Sequence, residues 1–213
     1  MCADLLRVEL RDHSELVLTY EVGTDEWVAD PPPGSGELEI HASGVMDWAL
    51  VPSYPEPRLR KEDHPALLSW VHDEVEVYFS QPVEDPMGLA AELLATHRNV
   101  SGRFIDPGST FNTQVPLAEL LARGHGQVAR GPIPLIAQLR ACLEAAGANP
   151  SLGDPRPPKI YEEDEQGGRW LAVEKRHELR VLELGLSWIV ARSFRAEGRA
   201  TEWMNISDWA ALE

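Results

Sequence analysis

The chain has 213 residues, 43% hydrophobic and 25% charged, proportions that suit a folded globular chain and exclude wholesale disorder. Its formal net charge of −16 argues against DNA, RNA or an anionic membrane as the main partner, because basic surface reads those ligands first. No apolar run approaches the roughly 18 residues that span a bilayer, and the charged N-terminus "MCADLLRVELRDHSEL" lacks a signal-peptide core, so the expected compartment is the cytoplasm.

"LLRVELRDHSELVLTYEVG" reads as two strands around a polar turn at Arg11-Asp12-His13-Ser14. Leu6, Val8 and Leu10 alternate with Arg7, Glu9 and Arg11, and Leu16, Leu18 and Tyr20 share one face opposite Val17, Thr19 and Glu21. "ADPPPGSG" is a loop, because consecutive prolines lack donors. "ELEIHASGVMDWALVP" resumes strand character, and "SYPEPRLRKEDHP" is a second loop. "HPALLSW" predicts one or two helical turns with Pro65 at the first helical position. "EVEVYFS" alternates cleanly, with Val75, Val77 and Phe79 on one face and Glu74, Glu76 and Tyr78 on the other.

The period changes after Pro86. "DPMGLAAELLATHRNVSG" predicts a helix with Asp85 as cap, Pro86 just inside, and Leu89, Leu93, Leu94 and His97 on its apolar side. "PLAELLARG" is a short second helix, and "GPIPLIAQLRACLEAAG" is a third that Gly147 ends. "ANPSLGDPRPPK" reads as a connector. "KIYEEDEQGGRWLAVE" is a hairpin with Gly167-Gly168 at the turn. Over "HELRVLELGLSWIVARSFRAE" the aromatic and β-branched content favours strands against a competing helix. The tail "TEWMNISDWAALE" is amphipathic, with Trp203, Ile206 and Trp209 on one helical face.

The elements group as strands, helices, strands. That order predicts an α+β fold: a mostly antiparallel sheet drawn from both ends of the chain, with a three-helix central segment packed on one face. The expected organisation is a single domain over residues 1–213. It comprises an acidic strand-rich part (1–86), a helical part (87–150), a strand-rich part (159–197) and an amphipathic tail (198–213).

Charge is unevenly spread. Residues 1–86 carry 19 acidic and 5 basic side chains, residues 87–160 carry 5 and 7, and residues 161–213 carry 11 and 7. Solubility alone accounts for an acidic surface, and a basic protein partner is the functional alternative. The triplet His72-Asp73-Glu74 draws the eye as a metal site with His64. Adjacent strand residues point to opposite faces and no HExxH spacing exists, so no metal is expected there. The triplet is read as the entry to a strand. Asp73, Glu74 and Glu76, with Trp203 and Trp209 in the tail, are the candidate partner-binding residues.

A second group lies in the one positive third of the chain: His97, Arg98, Arg103, His125 and Arg130, with glycines between two helices. Glycine-rich turns before a helix can present amides to an anion, but "GHGQVARG" matches no phosphate-binding fingerprint. Surface arginines at helix–helix turns are the plain reading. Trp27, Trp48, Trp70, Trp170 and Trp188 are read as core aromatics. Cys2 and Cys142 form no redox or zinc motif, and no disulfide framework is indicated. No serine elbow or other catalytic motif is present, and no cofactor is expected.

Two functions follow as expectations. The first is a non-enzymatic interaction module, in the manner of an acidic inhibitor or immunity-type protein, binding a basic partner. The second is an enzyme or binder that holds a small anionic ligand, phosphate- or carboxylate-bearing, through the His97–Arg130 group.

Overall fold

The computed structural model describes residues 2–11, 15–23, 36–51, 57–60, 64–158, 161–163, 169–171 and 173–198. In chain order its elements are β1 (Cys2–Arg11), β2 (Glu15–Gly23), β3 (Gly36–Ser43), β4 (Asp47–Ala49) and β5 (Pro57–Arg60). A 3-10 turn (Pro65–Leu67) and α1 (Leu68–Val71) then lead into β6 (Glu74–Phe79). Next come α2 (Pro86–Ser101), α3 (Pro107–Thr110), α4 (Leu117–Arg123), β7 (Gly126–Pro132), α5 (Ile133–Ala145) and β8 (Pro150–Leu152). The last are β9 (Tyr161–Glu163), β10 (Arg169–Leu171), a 3-10 helix (Val173–Glu178), β11 (Arg180–Leu184), β12 (Ser187–Ala191) and β13 (Ser193–Gly198). The class is α+β, and every strand pair is antiparallel among the described residues.

The chain divides into two compact units, Met1–Glu62 with Glu178–Glu213, and Asp63–His177. In the first unit the two ends of the chain share both sheets. One sheet runs β1-β2-β3-β13 and the other β4-β12-β11-β5 among the described residues. Alternation drives this arrangement. Leu16, Leu18 and Tyr20 of β2 and Leu38, Ile40 and Ala42 of β3 face Leu182, Leu184, Ile189 and Ala191 of the second sheet. The strand reading of residues 180–191 therefore holds, and Val173–Glu178 before it is 3-10 helix.

In the second unit β6 is the central strand of a sheet ordered β7-β6-β8. Val75, Val77 and Phe79 are buried, while Glu74 and Glu76 are half-buried and Tyr78 is exposed, as the period of two requires. Leu89 and Leu93 of α2, Leu121 of α4 and Leu135, Ile136, Leu139 and Leu143 of α5 cover that apolar face. α5 packs against β6 and β7, and α2 packs against α5 and α4; the sheet beside these helices takes its strands from residues 74–152 and not from both ends of the chain. The partners of β6 lie in "GHGQVARG" and "NPSLG", read as turn and connector, and the structure makes them β7 and β8.

Local signals hold in detail. Asp85 Oδ1 accepts the Gly88 amide at 2.9 Å and Pro86 opens α2. Asp85→Ala should cost about 1 kcal/mol of unfolding free energy, read as a lower urea midpoint at unchanged slope. Gly124 closes α4 at φ +82°, where a side chain would also meet Pro82 at 2.9 Å. β9 and β10 pair as the predicted hairpin. Its turn at Gly167-Gly168, the turn at Asp12–Ser14 and the tail with Trp203 and Trp209 lie outside the described residues. Of the tryptophans read as core, Trp188 is buried, Trp70 is half-buried, and Trp48 is instead 43% exposed on the short strand β4. Trp27 and the Trp170 side chain lie outside the described set.

Candidate functional site

His72 caps the end of α1, and Glu74 begins β6, so the triplet does introduce a strand. Its charges are engaged within the unit. Asp73 accepts Arg176 Nη1 at 2.8 Å, and Glu74 accepts Arg130 Nε and Nη2 at 3.1 and 2.7 Å. Glu76 accepts the Tyr78 hydroxyl at 2.7 Å, and this bond lifts the phenol above its ordinary range. His64 Nδ1 accepts the Ala66 amide at 3.2 Å, and its ring meets Phe104 edge-on at 4.8 Å. The negative charge at this strand is thus offset by arginine more than a count of carboxylates implies.

The cationic group is spread over several environments. His97 sits in the core of the second unit, 1% exposed, against Phe111. Ser101 Oγ donates its single proton to the His97 carbonyl at 2.7 Å. It follows that His97 Nδ1 donates to Ser101 Oγ at 3.1 Å. Burial lowers the pKa of His97 from 6.5, partly opposed by Asp106, which favours the neutral ring, and in that ring Nε2 accepts from the Thr110 hydroxyl at 3.0 Å. Arg98 is exposed on α2, and Arg103 lies over the Phe104 ring at 5.4 Å. His125 Nδ1 donates to the Arg123 carbonyl at 3.2 Å, and Arg130 on β7 is the partner of Glu74. A cleft of about 400 Å³ lies elsewhere in the unit, lined by Val75, Ile133, Ile136, Leu152 and Pro155, with the Arg140–Glu144 pair at 2.7 Å.

Two features of the first unit were not read as sites from the sequence. The first lies on the sheet face opposite the core. His41 of β3 is 7% exposed although it faces away from Leu38, Ile40 and Ala42. Its Nδ1 is 3.4 Å from Glu15 Oε1, and its Nε2 is 3.2 Å from Glu39 Oε2 and 3.9 Å from Glu197 Oε2. Glu15 is on β2, Glu39 on β3 and Glu197 on β13, so three adjacent strands converge on one imidazole. The Arg195 guanidinium takes the other oxygen of Glu197 at 3.1 Å. The i, i+2 spacing of Glu39 and His41 on a strand was the one sequence signal; the other two residues arrive only through pairing.

The second feature is β1, at the end of its sheet. Leu5, Val8 and Leu10 lie directly across from Tyr20, Leu18 and Leu16, so they extend the apolar core face by one strand. The β2 residues are buried, yet Leu5, Val8 and Leu10 are 41%, 42% and 53% exposed, and Leu6 at the register shift is 54% exposed. The result is an apolar shelf on a strand whose outer hydrogen-bonding edge is unpaired among the described residues. On the opposite face, Arg11 is bound to Glu9 at 2.7 Å, which holds that carboxylate below its ordinary range.

Compared with protein-family models, curated proteins and solved structures, the chain finds no match in any of the three. No helix among the described residues is long and apolar enough to cross a membrane.

Proposed function

We propose that this protein is a non-enzymatic interaction module that binds a basic protein partner through its acidic N-terminal sheet. The observation that carries the reading is the shelf on β1: half-exposed Leu5, Val8 and Leu10 continuing a buried face, on a strand with no outer neighbour among the described residues. Proteins blunt edges of this kind with charge, proline or cover, because an open apolar edge invites another chain. The charge of its own unit selects which chain: residues 1–62 and 178–213 together carry 19 acidic against 9 basic side chains. A basic segment with an apolar side, laid along β1, gains main-chain hydrogen bonds, apolar burial and steering together. An inhibitor or immunity-type role is one form such binding takes.

A small anionic ligand at His97, Arg98, Arg103, His125 and Arg130 is the second reading and has less support. His97 spends both ring nitrogens inside the core, and Arg130 is held by Glu74.

The test is quantitative capture from native cell extract by the wild type and by a Leu5→Ser/Val8→Ser/Leu10→Ser variant of equal thermal stability. A basic protein should bind the wild type at least tenfold more tightly, about 1.4 kcal/mol. Its association rate should fall as salt screens charges beyond roughly 8–10 Å. Equal affinity for both proteins, or a captured partner that is itself acidic, would overturn the reading.

A further inference from the structure

We infer that Glu39, His41 and Glu197 form a binding site for a divalent transition metal of the zinc class, with Glu15 orienting the histidine. Such a site would join β3 to β13, and so tie the two ends of the chain together.

Three observations carry this. The first is the donor set. One imidazole nitrogen and two carboxylate oxygens, all within 4.8 Å of one another, belong to residues on adjacent strands. Zinc takes nitrogen and oxygen ligands at about 2.0–2.2 Å, which places two ligands of a tetrahedron roughly 3.3–3.5 Å apart. His41 Nε2 to Glu39 Oε2 at 3.2 Å already meets that edge. The 3.9 Å to Glu197 Oε2 closes by a small rotation of a side chain that is 48% exposed.

The second is the orientation of His41. Its Nδ1 faces Glu15 Oε1 at 3.4 Å, and its Nε2 faces Glu39 Oε2 at 3.2 Å and Glu197 Oε2 at 3.9 Å, the side on which a metal would sit. With a metal on Nε2, the carboxylate behind Nδ1 would take the remaining ring proton and fix the ligating tautomer. The imidazole is held deep against the sheet while the glutamates reach water, which leaves room for solvent to complete the coordination.

The third is a concentration of like charge that a bound cation would offset. Glu197 and Glu39 are direct cross-strand partners, and like charges placed opposite each other destabilise a sheet. Arg195 engages the far oxygen of Glu197, and Arg11, across from Glu15 and bound to Glu9, adds a smaller attraction to Glu15 and Glu39. The Glu39 and Glu197 oxygens both face His41 Nε2.

Protein stripped with EDTA is titrated with Zn²⁺ at pH 7.5 by calorimetry, beside the single variants His41→Gln, Glu39→Gln, Glu197→Gln and Glu15→Gln. One Zn²⁺ should bind per chain at micromolar concentration or below and should raise the melting temperature. His41→Gln should abolish binding. Glu39→Gln and Glu197→Gln, at half-exposed positions that leave the core untouched, should each weaken it at least tenfold. Glu15→Gln should weaken it by roughly 10–100-fold, the cost of losing an outer carboxylate. Millimolar Mg²⁺ should not compete, because it ignores imidazole. Absence of saturable Zn²⁺ binding in the wild type would overturn the site and leave an imidazolium–carboxylate cluster. Binding that survives Glu39→Gln and Glu197→Gln, or Mg²⁺ competing on equal terms, would overturn it as well.

Discussion

Leu93→Ala should lower the unfolding free energy by about 2–5 kcal/mol, while Leu94→Ala, its neighbour, should change it by about 0.5 kcal/mol or less. Both leucines lie on the side of α2 that the sequence marks as apolar. In the structure Leu93 is fully buried in the core of the second unit, and Leu94 is 44% exposed. The substitution at Leu93 removes methyl groups from a close-packed space that cannot fully collapse, so a cavity penalty adds to the lost transfer energy. At Leu94 the side chain already spends nearly half its surface in water. Urea unfolding followed by helical circular dichroism reads both. Equal losses at the two positions would mean that α2 is rotated from the face described.

The same pair shows how far the sequence could be read. A helical period marks a stripe, and the stripe on α2 is broad enough to include Leu89, Leu93, Leu94 and His97. Which of them lies at its edge is decided by α4 and α5, elements remote in the sequence. β6 was legible in full because strict alternation over Glu74–Phe79 leaves one solution. β7 was not. Its glycines and arginine read as a turn, since it has neither clean alternation nor the aromatic and β-branched content that marks β12. Here Val128 and Ala129 are consecutive buried residues beside a register shift at Val77/Tyr78. β8 was hidden for a different reason: three residues that begin with proline carry too little pattern, and only pairing with Val77–Phe79 makes them a strand.

Sites proved less legible than elements, and the reason is distance along the chain. The triplet His72-Asp73-Glu74 drew attention because its charges are contiguous, yet contiguous strand residues diverge and each carboxylate finds its own partner. The cluster at His41 is assembled from positions 15, 39, 41 and 197. Within "ELEIHAS" the histidine is one polar residue on the outer side of a strand. Glu39 accompanies it two residues away, and Glu15 and Glu197 join only because β2 and β13 pair on either side of β3. The shelf on β1 was half visible. Its alternation was plain, but the register shift after Leu5 moves Leu6 off the pattern, and exposure depends on where the covering sheet ends.

His97→Ala should cost about 2–4 kcal/mol near pH 8, and the cost should shrink as the pH falls below about 6.5. The cost at high pH has two parts. Removing the ring opens space beside Phe111, and it strips the buried Thr110 hydroxyl of its acceptor, leaving an unsatisfied donor. The pH dependence comes from the neutral state that the fold imposes. Burial lowers the pKa of His97 in the folded chain below its ordinary value near 6.5, against a smaller raising effect of Asp106. The unfolded chain therefore binds the proton more readily, and stability rises with pH in the interval between the folded pKa and about 6.5, with a limiting slope of about 1.4 kcal/mol per pH unit. Above that interval both states are neutral and the contribution is complete; below it the wild type has lost that part of its stability. His97→Ala lacks the group, so the difference between the two proteins isolates it from the other histidines. Urea midpoints for both at pH 5, 6, 7 and 8 supply the measurement. A difference that stays constant across that series would show that His97 takes up its proton equally in the folded and unfolded chains.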